Sequence, residues 1–160
     1  MAHVGFVQDG QPFVIPVGYQ YRADAPDRLY VHGSLGSRLM RHLATGAPVS
    51  IAVTLLDGLV YSRTAMNHSM NYRSVVCFGR GHRVTDDAVQ RAVYDAMIDR
   101  YFPGRTAGRD YSAPTVEHLN ATMLIEIEIE EWSAKMREGD PLGPEDAAEY
   151  APGTRGVVPL

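Results

Sequence analysis

The sequence predicts a small antiparallel β-barrel or curled sheet with few α-helices, mainly β and of about six strands, on three observations. Apolar and β-branched runs recur from Val4 onward, bounded by Gly, Pro and Asp-Gly pairs. Only two stretches carry a clear helical period, so the strand–helix alternation of a doubly wound parallel sheet is missing. Glycines also fall inside strand-like runs, where bulges let a sheet curl.

Residues 4–7 form the first strand, stopped by Gln8-Asp9-Gly10, a tight-turn signal between β-rich runs. Residues 13–21 read as the returning strand, with Tyr19 and Tyr21 on one face. Pro12 and Pro16 make it an edge or bulged strand, because proline brings no ladder N–H. A turn at residues 23–27 leads into residues 29–43, LYVHGSLGSRLMRHL. There the apolar run Leu29, Tyr30, Val31 meets His32-Gly33-Ser34, and Gly36-Ser37-Arg38 opens a helix. Leu35, Leu39, Met40 and Leu43 recur at helical spacing, and Thr45-Gly46-Ala47-Pro48 stops the helix.

Residues 49–56 form a continuous apolar strand, which Asp57-Gly58 is expected to turn into a second hairpin with residues 59–65. A loop at 66–70 holds Asn67, His68 and Ser69, and residues 72–84 follow as a long strand with Gly79 and Gly81 as bulge points. Thr85-Asp86-Asp87 caps a helix whose apolar positions run from Ala88 to Tyr101, and Pro103-Gly104 ends it. After a polar loop and a helical turn at 117–120, residues 122–132 alternate Met123, Ile125, Ile127 and Ile129 with Leu124, Glu126, Glu128 and Glu130. Same-face carboxylates with no interleaved histidine make a solvated sheet face rather than a metal site, so no metal is expected. Residues 1–136 are read as one domain and residues 137–160 as a Gly/Pro/acidic extension, flexible or ordered on contact and suited to clasping a partner subunit.

A chain of 160 residues with 45% hydrophobic and 21% charged residues can bury a core. Its net charge of −4 gives no whole-chain case for nucleic-acid binding, so an anionic ligand needs a local cluster. No membrane span and no signal-peptide pattern are read, which places the chain in the cytoplasm. Cys77 stands alone in an apolar run, as an inert buried thiol does. The first strand begins almost at Met1, so a leading helix that would cover the barrel end is expected to be missing from this chain.

The 29–43 junction carries the chemistry. Backbone N–H groups, the Ser34 and Ser37 hydroxyls and the Arg38 guanidinium gather where a strand hands over to a helix, which suits an anion. A capped helix start with a solvated arginine has the same spacing. A second cluster, His68, Ser69, Asn71, Tyr72, Arg73 and Ser74, follows the 59–65 segment. Tyr72 and Ser74 share one strand face and Arg73 takes the other. His42 and His82 read as surface histidines.

LYVHGSLGSRL, SIAVTLLDGLVYSR and above all NHSMNYRSVVCFGRG resemble the flavin-nucleotide-binding branch of the pyridoxamine 5′-phosphate oxidase-like proteins, which includes the nitroimidazole-resistance reductases. The resemblance covers residues 4–132 and implies an FMN-binding split β-barrel, a homodimer with two flavin sites at the subunit interface. It further implies that Ser37 and Arg38 hold the FMN phosphate, that His32, Gly33 and Ser34 lie on the phosphate side, and that Tyr72, Arg73 and Ser74 belong to the cofactor site. Leu39 stands where the family has a lysine, and the strand and C-terminal residues that the true B6 oxidases require are not matched. The implied activity is electron or hydride transfer between reduced FMN and a small organic substrate (a nitro compound, a quinone or a B6-type vitamer), with NADH or NADPH as donor. His68, in the loop before NYRSV, is the candidate catalytic proton donor, since histidine is the residue type suited to proton transfer near pH 7. Two readings stay open beside it: a non-catalytic flavin or haem carrier, and a cofactor-less interaction module.

Overall fold

A computed structural model describes all residues from Met1 to Leu160. The eight strands are β1 (Ala2–Gln8), β2 (Gln11–Val17), β3 (Tyr19–Arg22), β4 (Ala25–Ser34), β5 (Pro48–Tyr61), β6 (Ser69–Val84), β7 (Thr122–Arg137) and β8 (Gly156–Pro159). Four helices join them: α1 (Arg38–Leu43), α2 (Asp87–Tyr101), α3 (Val116–Ala121) and α4 (Pro144–Ala147). The sheet runs β2-β1-β5-β6-β7-β4-β3, with β8 paired to β5, and is the mainly β, antiparallel split barrel expected. Its strands number eight rather than about six.

The count rises because residues 13–21 form two strands and the tail adds β8, while residues 49–61 form one strand where a hairpin was predicted. Residues 13–21 are not one strand: the chain breaks at Gly18, after which β2 pairs with β1 while β3 pairs with β4 at the other end of the sheet path. The prolines of β2 are accommodated there because β2 is an edge strand. The Asp57-Gly58 hairpin does not form either. β5 passes straight through it, since residues 58–61 find an antiparallel partner in β8. Gly58 lets that partner approach: a Cβ there would sit 3.0 Å from the Val158 carbonyl oxygen. The turn expected at 23–27 also shortens, because β4 begins at Ala25.

By compactness the chain divides into two units, Met1–Ile51 with Cys77–Trp132, and Ala52–Val76 with Ser133–Leu160. In the first, Val4, Val31, Leu39, Leu43, Ile51, Leu124, Ile125 and Ile127 are fully buried, and Tyr30, Val93, Met97 and Leu124 form a cluster beneath α2. Asp86 caps α2 by accepting from the Ala88 and Val89 N–H groups, as its sequence predicts. Gly79 and Gly81 are sites of close approach. A Cβ at Gly79 would lie 2.0 Å from the Glu128 carbonyl oxygen, and one at Gly81 would lie 2.6 Å from that of Leu43. Cys77 is buried, and burial pushes its thiol pKa up, so it is inert. Glu126 bonds Arg28 and the Tyr30 hydroxyl, and Glu130 bonds Arg80, so the β7 carboxylates serve the sheet face.

In the second unit the tail is ordered by one buried carboxylate. Asp146, 1% exposed, accepts from the Ser62 hydroxyl at 2.7 Å, the Arg63 N–H at 2.8 Å and the Gly143 N–H at 3.1 Å. Those donors hold its pKa below the usual carboxylate range. No helix is long and apolar enough to cross a membrane.

Candidate functional site

In the first unit β4 delivers His32, Gly33 and Ser34 to a short turn, and Ser37 begins α1. The Ser37 hydroxyl accepts from the Met40 N–H at 3.5 Å and the Ser34 hydroxyl from the Gly36 N–H at 3.2 Å. Each hydroxyl thereby keeps its own proton to donate outward. Gly33 is needed for packing, since a Cβ would come within 3.1 Å of Met40 Cγ. Arg38 meets no carboxylate and no hydrogen-bond acceptor, and its guanidinium lies over the Phe13 ring at 4.4 Å. A cavity of about 320 Å³ beside it is lined by Gln8, Arg38, Arg41, His42 and Thr45. His42 is not the surface histidine expected. It is half-buried with its ring 4.4 Å from that of Phe6, and its Nε2 is buried with no partner.

His32 faces a different space. A cavity of about 680 Å³, mostly apolar, is walled by His32, Tyr94, Met97, Tyr101, Phe102 and His118 among others. The His32 and Tyr94 rings meet edge to face at 5.5 Å. Desolvation lowers the His32 pKa, so the imidazole is neutral at pH 7, and burial raises that of Tyr94. The Tyr94 hydroxyl is buried without a partner, a donor awaiting an acceptor.

The remaining predicted residues belong to the second unit, where most are already engaged. Arg73 forms a bidentate pair with Asp57, at 2.7 and 3.0 Å. The Ser74 hydroxyl donates to the Lys135 carbonyl at 3.3 Å. Tyr72 is half-buried on β6. A cavity of about 400 Å³ is lined by Asp57, Asn71, Arg73, Met136, Arg137 and Glu138, but Arg137 is bound to the Asn71 side chain and to the Gly139 and Asp140 carbonyls. His68 differs from these. Its Nδ1 lies 3.2 and 3.3 Å from the Thr64 and Ala65 carbonyls, so Nδ1 carries the proton and the exposed ring presents a bare Nε2.

Arg41, Tyr94 and His118 were not singled out by the sequence reading, and His42 was read as a surface histidine. The signal for Arg41 was present, since it lies three residues after Arg38 and so shares its helix face. The partnerless state of His42 and Tyr94 is a property of packing and leaves no trace in spacing.

The fold is a split barrel with an unpaired arginine, Arg38, at its strand-to-helix turn. The chain matches the pyridoxamine 5′-phosphate oxidase family model over residues 1–136 and belongs to that family, as expected. No curated protein matches the sequence. Among solved structures, the FAD and heme binding protein from Mycobacterium smegmatis is 42% identical with a TM-score of 0.84, covering 99% of this chain and 75% of that one. The flavocytochrome Anf3 from Azotobacter vinelandii is 35% identical with a TM-score of 0.78, covering 99% and 71%. A protein from Bacteroides thetaiotaomicron assigned to 5-nitroimidazole antibiotic resistance is 21% identical with a TM-score of 0.65, covering 83% and 74%, and shares the fold.

Proposed function

We propose that this protein is a flavin-binding oxidoreductase that works as a homodimer in the cytoplasm. The observation that carries the reading is the unpaired Arg38 guanidinium beside two hydroxyls with protons to donate, the donor set that a flavin phosphate needs. The names of the two relatives above 30% identity, which include FAD, heme and flavocytochrome, support it. The sequence reading pointed to FMN, whereas the printed name of the Mycobacterium smegmatis protein points to FAD. A bound flavin supplies hydride or single-electron transfer. The chain's own part is to anchor the phosphate through Arg38, Ser37 and Ser34. The apolar 680 Å³ cavity would admit a small aromatic acceptor, shed its water and offer the Tyr94 hydroxyl to an oxygen atom. The exposed apolar residues Val7, Val14 and Phe78 line or flank a groove of about 540 Å³ that suits a subunit contact.

Titration of the purified protein with FAD and FMN, followed by absorption, tests this. Arg38→Ala should weaken flavin binding about 10- to 100-fold, the worth of a charged hydrogen-bonded anchor. Undiminished affinity overturns the placement.

One observation favours a haem as a second cofactor. A backbone carbonyl that takes Nδ1–H and leaves Nε2 outward is the arrangement that orients an imidazole toward iron, and His68 has it. In this reading His68 would hold the haem iron; in the earlier one it donates a proton to substrate. Haem titration separates them, because His68→Ala abolishes the Soret shift only if His68 binds the iron.

A further inference from the structure

We propose that the 680 Å³ cavity alongside α2 admits uncharged aromatic compounds and turns anions away, so that phosphorylated and carboxylated substrates are excluded from it. The inference rests on the flavin reading above and names the substrate class which that reading leaves open. The cavity lies inside the range of roughly 300–1,000 Å³ usual for small-molecule sites. Its walls include Tyr94, Met97, Ile98, Phe102 and Leu119, a surface that favours a planar apolar ligand. No arginine or lysine lines it, and one acid, Asp95, does. An anion that entered would lose its water, gain no cation and meet a carboxylate.

The segments that build the cavity do carry arginines, and each is fastened elsewhere. Arg91 donates to the Pro114 carbonyl at 2.8 Å, and Arg100 donates to the Tyr19 carbonyl at 3.3 Å with its guanidinium 4.5 Å from the Tyr19 ring. In the loop after α2, Arg105 donates to the Asp110 carbonyl at 2.6 Å and Arg109 pairs with the Asp110 carboxylate at 2.8 Å. His32 supplies no charge either, because burial holds its imidazole neutral at pH 7. The cavity beside Arg38 is the reverse: Arg38 and Arg41 line it, no acid does, and the two cavities share no lining residue. Of the substrates named from the sequence, a quinone or a nitro compound therefore fits the α2 cavity, and a phosphorylated B6 vitamer does not.

Isothermal titration calorimetry of the full chain at about pH 8, where histidine side chains are uncharged, reads the outcome with a matched pair of compounds, neutral 2-naphthamide and the anion 2-naphthoate. The wild-type protein should bind 2-naphthamide at least about tenfold more tightly than 2-naphthoate, and pyridoxamine 5′-phosphate should not displace it. Asp95→Lys gives the anion a partner and should shrink that gap about tenfold or more, and because Asp95 is exposed the change leaves the core as it is. Ile98→Trp fills the space and should weaken 2-naphthamide at least about tenfold. Equal affinity for the two compounds, no binding of either, or an unchanged gap in Asp95→Lys overturns the proposal, and the flavin reading stands if FMN or FAD still binds. Selective binding of 2-naphthamide by a chain that takes up neither flavin keeps the selectivity of the cavity and overturns the flavin reading.

Discussion

Arg73 and Arg137 on one side, and Arg38 and Arg41 on the other, line cavities of about 400 and 320 Å³ respectively, yet they are used in opposite ways. In the second unit the guanidiniums are consumed: Arg73 by Asp57, Arg137 by Asn71 and two carbonyls, and Arg63 by the Glu145 and Ala148 carbonyls. In the first unit Arg38 has an aromatic face beneath it and Arg41 has nothing. An arginine with its donors filled fastens one chain segment to another. One with its donors open is a cation held ready, and only the second kind recruits an anion from solution.

The largest effect should come where backbone space alone decides. Gly79→Val drives a side chain into the Glu128 carbonyl of β7 and should cost at least about 2 kcal/mol, visible as a large drop in melting temperature. A variant that melts like wild type would show that β6 and β7 do not approach as described. Next comes the tail. Asp146→Ala strips the acceptor from Ser62, Arg63 and Gly143, and limited proteolysis should cut residues 148–155 in the variant much faster than in wild type. Because the folded pKa of Asp146 is depressed, its contribution is present above the ordinary carboxylate range and is lost as pH falls through the folded value. Wild-type protection should therefore fade in acid, whereas that of Asp146→Asn should start low and stay flat across the same range. The smallest effect sharpens the contrast. Arg73→Ala removes a cation already paired with Asp57, so flavin affinity should stay within about twofold of wild type, and a tenfold loss would erase the distinction between filled and open arginines.

Much of the fold was written in local pattern. The alternation along β7, the cap and apolar stripe of α2, and the Asp9-Gly10 turn between β1 and β2 each rest on residues a few positions apart. What misled was partner choice. Asp57-Gly58 has turn chemistry, but its ladder partner is a four-residue strand about a hundred positions later, and pairing at that range overrides the local signal. The tail read as flexible or ordered on contact because Gly, Pro and acidic residues dominate it, and the buried Asp146 ties it to Ser62 and Arg63. For the candidate site, the place of Ser37 and Arg38 at the start of α1 was legible from their motif. That Arg73 is occupied and His42 is bare depends on Asp57 and on the packing of Phe6, and neither can be read from neighbouring residues.

The pairing of β8 with β5 also orders events in time. Residues 58–61 offer an open strand edge from the moment they leave the ribosome until residues 156–159 have been made. Throughout that interval the apolar Leu59 and Val60 can pair with any passing chain, so the tail acts as a late seal against aggregation in the nascent protein.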